Sequence, residues 1–186
     1  MRLNFFLLLL AVFAIGLTTL WLDQDERPLS NVPLANNLTS LQKNQKAPDF
    51  SFETLDGRKS SLSAFRGTPI VLHFWASWCA PCVAEFPSLL KMAEKKKSRI
   101  LVLAISTDRS PEKIKSFLKK QNKRLPANVM IIWDEHKTLT EDLFQTFKLP
   151  ETIILDRAGN MVRKEAGQTD WLSPDVDVFL KSLSED

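Results

Sequence analysis

Residues 68 to 87 read TPIVLHFWASWCAPCVAEFP, and Cys79 and Cys82 within them are the only two cysteines among 186 residues. The run Thr68 to Ala76, which follows Gly67, is apolar and partly β-branched, so it predicts a buried strand. Pro81 stands where a helix would begin, which makes Trp78–Cys82 a strand-to-helix turn. Cys79 then occupies a helix N-terminus, where free amide donors and the positive end of the macrodipole favour a thiolate. It is the expected nucleophile. Cys82, one turn deeper on the same face, is placed to close a disulfide and is the expected resolving thiol. Pro81 stiffens the two-residue spacer.

Other uses of such a pair are weighed against this one. A structural zinc site needs about four ligands, and beyond the pair the chain offers only His73, His136 and carboxylates. Covalent c-type haem attachment needs a histidine after the second cysteine, where this chain has Val83. A static disulfide across so short a loop gains little from loop closure. No metal or other cofactor is expected.

Composition is that of a globular protein, with 44% hydrophobic and 25% charged residues and a formal net charge of +3. So small a balance, spread along the chain, argues against a nucleic-acid partner. The most basic stretch, Lys91 to Arg99, falls at the C-terminal end of the predicted active-site helix, where lysines on a solvated face complement the dipole. Phe5 to Leu22 is 18 residues without a charge, preceded by Arg2 and followed by Asp23, Asp25 and Glu26. Residues 1–22 therefore read as a single-pass inner-membrane anchor with the rest of the chain on the periplasmic or other extracytoplasmic face. A signal segment cleaved near Ala14 and Gly16 is the rival. Residues 23–46, rich in Asn, Gln, Ser and Pro, read as a flexible linker, leaving 47–186 as one domain.

Within that domain the expected order is a short strand Phe50–Glu53, a second piece Ser60–Phe65, the strand Ile70–Ala76 and a helix from Pro81 to Lys97. A strand Arg99–Ser106, a helix from Ser110 (as N-cap) to Asn122 and a strand Met130–Trp133 follow. An amphipathic helix Thr138–Phe147 comes next, with Leu139, Leu143, Phe144 and Phe147 on its apolar face. A strand Leu149–Asp156, a turn Asp156–Asn160, a returning strand and a final helix from Ser173 complete the chain. This is an α/β fold: a central mixed sheet flanked by helices, with the active turn at the carboxyl end of the first core strand.

HFWASWCAPCVAEFP at 73–87, APDFSFETLDG at 47–57 and LPETIILDRAGN at 149–160 together resemble a thioredoxin-fold protein of the membrane-anchored TlpA/ResA/CcmG-like group. The resemblance implies a thioredoxin fold with an N-terminal β extension and an inserted βα element. It also implies a thiol-disulfide oxidoreductase that reduces exported proteins, with apocytochrome c the best-known substrate of several members, and that is reset by a membrane thiol electron donor. Cys79 and Cys82 match the redox-active pair, and Pro150 matches the cis-proline of the fold. Leu149 and Pro150, with Trp78 and Pro81, would lie against an extended substrate. Glu85 matches the group's acidic residue, and its spacing of three from Cys82 puts the carboxylate on the side of the thiols. It is expected to tune them and to relay a proton for Cys82.

His73 departs from the group's pattern. It is expected inside the strand beneath the active turn, as a neutral core histidine bonded to backbone or as a group that tunes the thiols as it titrates. His136 is assigned to the surface. Three rival functions use the same residues: net oxidation or isomerisation of exported proteins, a copper-binding assembly factor with His136 as third ligand, and a peroxidase.

Overall fold

The structure, a computed structural model, describes residues 45–121 and 124–185. The anchor or signal segment and all of the linker except Gln45 and Lys46 lie outside the described residues. The folded unit starts before Ala47: the Gln45 carbonyl accepts from the Met161 amide at 2.8 Å, and Lys46 bridges Asn160.

Five strands form the central sheet in the order β5-β4-β3-β6-β7. They are β3 (Ile70–Trp75), β4 (Leu101–Ser106), β5 (Val129–Trp133), β6 (Glu151–Leu155) and β7 (Met161–Ala166). The β3, β4 and β5 neighbours run parallel, while β6 lies antiparallel to both β3 and β7. Strands β1 (Ser51–Glu53) and β2 (Lys59–Ser61) make a separate hairpin, tied to the β5 edge where the Leu55 amide donates to the Ile131 carbonyl at 2.8 Å. The helices are α1 (Ala80–Lys96), α2 (Pro111–Lys120) and α3 (Pro174–Glu185).

Every residue of β3 is buried, which is why it reads as a continuous apolar run and not as an alternation. Val71, His73 and Trp75 point to the face covered by the three helices. Ile70, Leu72 and Phe74 point to the face covered by Phe50, Phe52, Leu62 and Phe144. Each fully buried apolar side chain contributes about 1.5–3 kcal/mol, so β3 anchors both halves of the core.

Two expectations are corrected. Residues 138–147 form no amphipathic helix: Thr138–Leu143 is a single π-helical turn, Gln145 takes a φ of 51° and Phe147 is exposed. Asp134 accounts for the turn, its carboxylate accepting from the amides of Leu139 (3.2 Å) and Thr140 (2.8 Å) and from the Thr140 hydroxyl (2.6 Å). Ser110 stands at the N-cap of α2, as expected, without a side-chain capping bond. Lys96 is not on a solvated face; it is buried against α3, ion-paired with Asp177 at 2.9 Å.

Candidate active site

The backbone leaves the sheet after Trp75 and turns into α1 through Ala76–Cys79. Asp108, buried just past the end of the neighbouring β4, grips that turn. Its carboxylate accepts from the Ser77 amide (2.9 Å), the Ser77 hydroxyl (2.6 Å) and the Ser106 hydroxyl (2.7 Å). Below it, Trp75, Phe86 and Phe117 stack with centroids 4.6 to 5.1 Å apart and fix the first turns of α1 to the sheet.

Cys79 is the N-cap of α1 and Pro81 lies in its first turn. The Cys82 amide donates to Cys79 Sγ at 3.4 Å, and the two cysteines are joined as a disulfide. In the reduced protein the same amide and the helix dipole would favour a Cys79 thiolate. Cys79 reaches the surface at 6% exposure and Cys82 is at 0%. That asymmetry makes Cys79 the more accessible of the two sulfurs.

One turn further along α1, Glu85 is almost fully buried. Its Oε2 accepts from the Thr169 amide at 2.6 Å and its Oε1 faces His73 Nε2 at 3.4 Å. Burial pushes the Glu85 pKa up to about 7, opposed by the Thr169 amide and by the indole of Trp171. His73 is held neutral, its pKa driven down to about 3 by burial alone. The backbone partner expected for His73 is absent: Nδ1 stands 3.1 Å from Thr152 Oγ1 on β6. His136 is exposed, as expected, 3.8 Å from the Glu135 carboxylate.

The Leu149–Pro150 peptide is cis. An open groove of about 380 Å³ runs beside Cys79, lined by Trp78, Pro81, Lys137, Phe147 and Leu149 among others. The Pro150 carbonyl accepts from the Gly167 amide at 2.8 Å, so of these two residues it is Leu149 that faces the groove. Trp78 and Phe147 rise from its rim at 66% and 74% exposure. The loop carrying Phe147 is fastened from behind, where the Thr146 hydroxyl donates to the buried Glu151 carboxylate and Lys164 pairs with the same oxygen at 3.0 Å. Among the described residues no three His, Cys, Asp or Glu side chains are grouped to hold a metal ion.

The model of the AhpC/TSA family matches residues 44–164. The chain belongs to the AhpC/TSA family. Its AhpC/TSA domain is 32% identical to the thioredoxin-like protein YneN of Bacillus subtilis, over 69% of this chain and 78% of that protein. It is 26% identical to the thiol-disulfide oxidoreductase ResA of Bacillus cereus, over 69% and 72% of the two chains. Among solved structures, the thioredoxin domain of a thiol-disulfide oxidoreductase from Bacteroides vulgatus superposes with a TM-score of 0.61 at 26% identity, covering 74% of this chain and 97% of that one. With the Cys79–Cys82 pair at the head of α1, this AhpC/TSA protein is a thioredoxin-fold thiol-disulfide oxidoreductase.

The sequence-predicted residues thus gather at one place: Cys79, Cys82 and Glu85 along one side of α1, and Trp78, Pro81 and Leu149 around the groove with Pro150 behind. Sequence reasoning missed Asp108, Thr152, Thr169, Trp171 and the exposure of Phe147. Only Asp108 had a usable signal, as an acid just past the end of the strand expected beside β3.

Proposed function

We propose that the protein reduces disulfides in exported proteins from a membrane-tethered position, with apocytochrome c among its clients, and that a membrane thiol donor returns its own disulfide to the dithiol. The observation that carries this reading is Glu85, a buried carboxyl with a pKa of about 7, one turn from the buried resolving cysteine. The Cys79 thiolate attacks the substrate disulfide and one substrate sulfur leaves as a thiolate. Cys82 then attacks Cys79 Sγ in the mixed disulfide while its proton passes to the Glu85 carboxylate. The second substrate sulfur leaves as a thiolate and two electrons have moved to the substrate; Glu85 passes the Cys82 proton on to one substrate thiolate and solvent protonates the other.

The uncharged run Phe5–Leu22, with Arg2 before it and acids after it, supports the tether and the extracytoplasmic placement. Among the described residues no helix is long and apolar enough to cross a membrane. In an oxidising compartment a dithiol must be resupplied with electrons across the membrane, which favours a membrane-held donor. Tethering raises the encounter rate with both donor and client.

Cys82→Ser in the full-length chain should accumulate mixed disulfides through Cys79 with client and donor, and Cys79→Ser should accumulate none. Absence of trapped partners from cells expressing the Cys82 variant would sink the reading.

A further inference from the structure

Among the described residues, two buried polar atoms without a well-formed hydrogen bond face each other, and the Trp171 indole is the other group that acts on the Glu85 carboxylate. His73 Nε2 and Glu85 Oε1 are 3.4 Å apart, and neither makes a hydrogen bond of good geometry with any group. Both side chains are essentially unexposed, and an unsatisfied buried donor or acceptor costs about 1–3 kcal/mol. On the far side of the ring the Thr152 hydroxyl, at 3.1 Å from Nδ1, can donate or accept. Trp171 packs edge-on against the imidazole with centroids 6.0 Å apart, holding its plane.

We infer that His73 is a positioning residue that acts through Glu85, offering Nε2–H to the carboxylate so that Glu85 can take the Cys82 proton and release it again. The inference rests on the reading of Glu85 as the proton partner of Cys82. Thr152 makes the arrangement self-consistent: with its hydroxyl donating to Nδ1, the neutral ring must carry its hydrogen on Nε2. The imidazole stays uncharged throughout, because burial holds its pKa near 3.

Among the described residues, burial acts on His73, and burial with the Thr169 and Trp171 hydrogen bonds acts on Glu85. From β4 the residue opposite His73 is Ala104, and from β6 it is Thr152. From β7, Glu165 lies opposite Thr152 and is ion-paired with Arg163. The segment before α3 contributes the Thr169 amide and the Trp171 indole, while Asp170 is exposed. On α1 and at its cap, Cys79 and Cys82 are joined as a disulfide and do not titrate.

The test is an NMR titration of the oxidised full-length protein, following the Glu85 carboxyl carbon, assigned with Glu85→Gln, together with the His73 ring nitrogens. In the wild type the His73 nitrogens should shift with the same midpoint as Glu85 while the ring remains neutral. His73→Asn keeps a polar atom near Nδ1 but loses the one facing Glu85, and should raise the carboxyl midpoint by about one pH unit, a tenfold gain in proton affinity. His73→Gln places an amide nitrogen near the Nε2 position and should restore the wild-type midpoint. Equal shifts in the Asn and Gln variants, or none in either, would overturn the inference. So would wild-type His73 nitrogens that do not respond to Glu85, an outcome that needs no variant to fold. Failure of the parent reading looks different: Glu85→Gln would resolve mixed disulfides at the wild-type rate while the two side chains still titrated together.

Discussion

Replacing Glu85 with Gln should stabilise the oxidised protein, and by an amount that depends on pH. Folded Glu85 holds its proton up to about pH 7, whereas the unfolded chain releases it near 4.5. Between those values the folded state binds more protons, so the stability linked to Glu85 is fully present below 4.5 and is lost as pH rises through 7. At about 1.4 kcal/mol per tenfold change in proton affinity, the loss amounts to about 3 kcal/mol. His73 has the opposite slope. Its folded form stays neutral down to about 3 while the unfolded side chain takes a proton below 6.5, so its linked stability rises with pH across that window. From about 4.5 to 6.5 the two slopes largely cancel, and the wild type hides both. Gln at position 85 removes one of them. Urea unfolding of oxidised wild type and Glu85→Gln from pH 4 to 8 should give near parity at the acid end, a growing advantage for the variant up to about 3 kcal/mol near pH 7, and no further change above. Differencing the two proteins removes the background from surface carboxylates. A stability difference independent of pH, or a variant that loses ground as pH rises, would refute the burial argument for Glu85.

Two further outcomes follow from the surroundings of the cysteines. Asp108→Ala leaves the Ser77 amide and hydroxyl and the Ser106 hydroxyl without their acceptor, and should cost about 2–3 kcal/mol in urea unfolding and slow substrate reduction; a loss below about 0.5 kcal/mol would show that the active turn does not need the clasp. Phe147→Ala, at an exposed position, should leave stability within about 0.5 kcal/mol while raising KM for a protein disulfide and leaving turnover of a small disulfide unchanged; an unaltered KM would remove the groove rim from substrate binding.

The strand, turn and first helix were legible because three independent signals agreed on them: an unbroken apolar run, a proline at the helix start and a thiol pair one turn apart. The hairpin at Asp156–Asn160 was legible for a similar local reason, since Asp156 accepts from the Asn160 amide at 2.8 Å across four residues. Residues 138–147 misled because their apolar spacing is helical while their backbone is governed by carboxylates that flank the segment. Asp134 captures the amides of Leu139 and Thr140, and Glu151, itself paired with Lys164, holds Thr146. The burial of His73 was legible from its place inside an unbroken apolar run, but its partner Thr152 lies 79 residues away on an antiparallel neighbour. Nothing local announces such a contact. Glu85 was readable as an acid on the thiol side of α1, whereas its burial depends on Thr169 and Trp171, which arrive from the far end of the chain.

Whether the pair at 79 and 82 gives or takes electrons is read from one number, its equilibrium reduction potential in the full-length protein. A value near the thioredoxin range, about −270 mV, is the result expected of a reductant. A value near the DsbA range, about −120 mV, would contradict the reducing role and make the protein an oxidant of its clients.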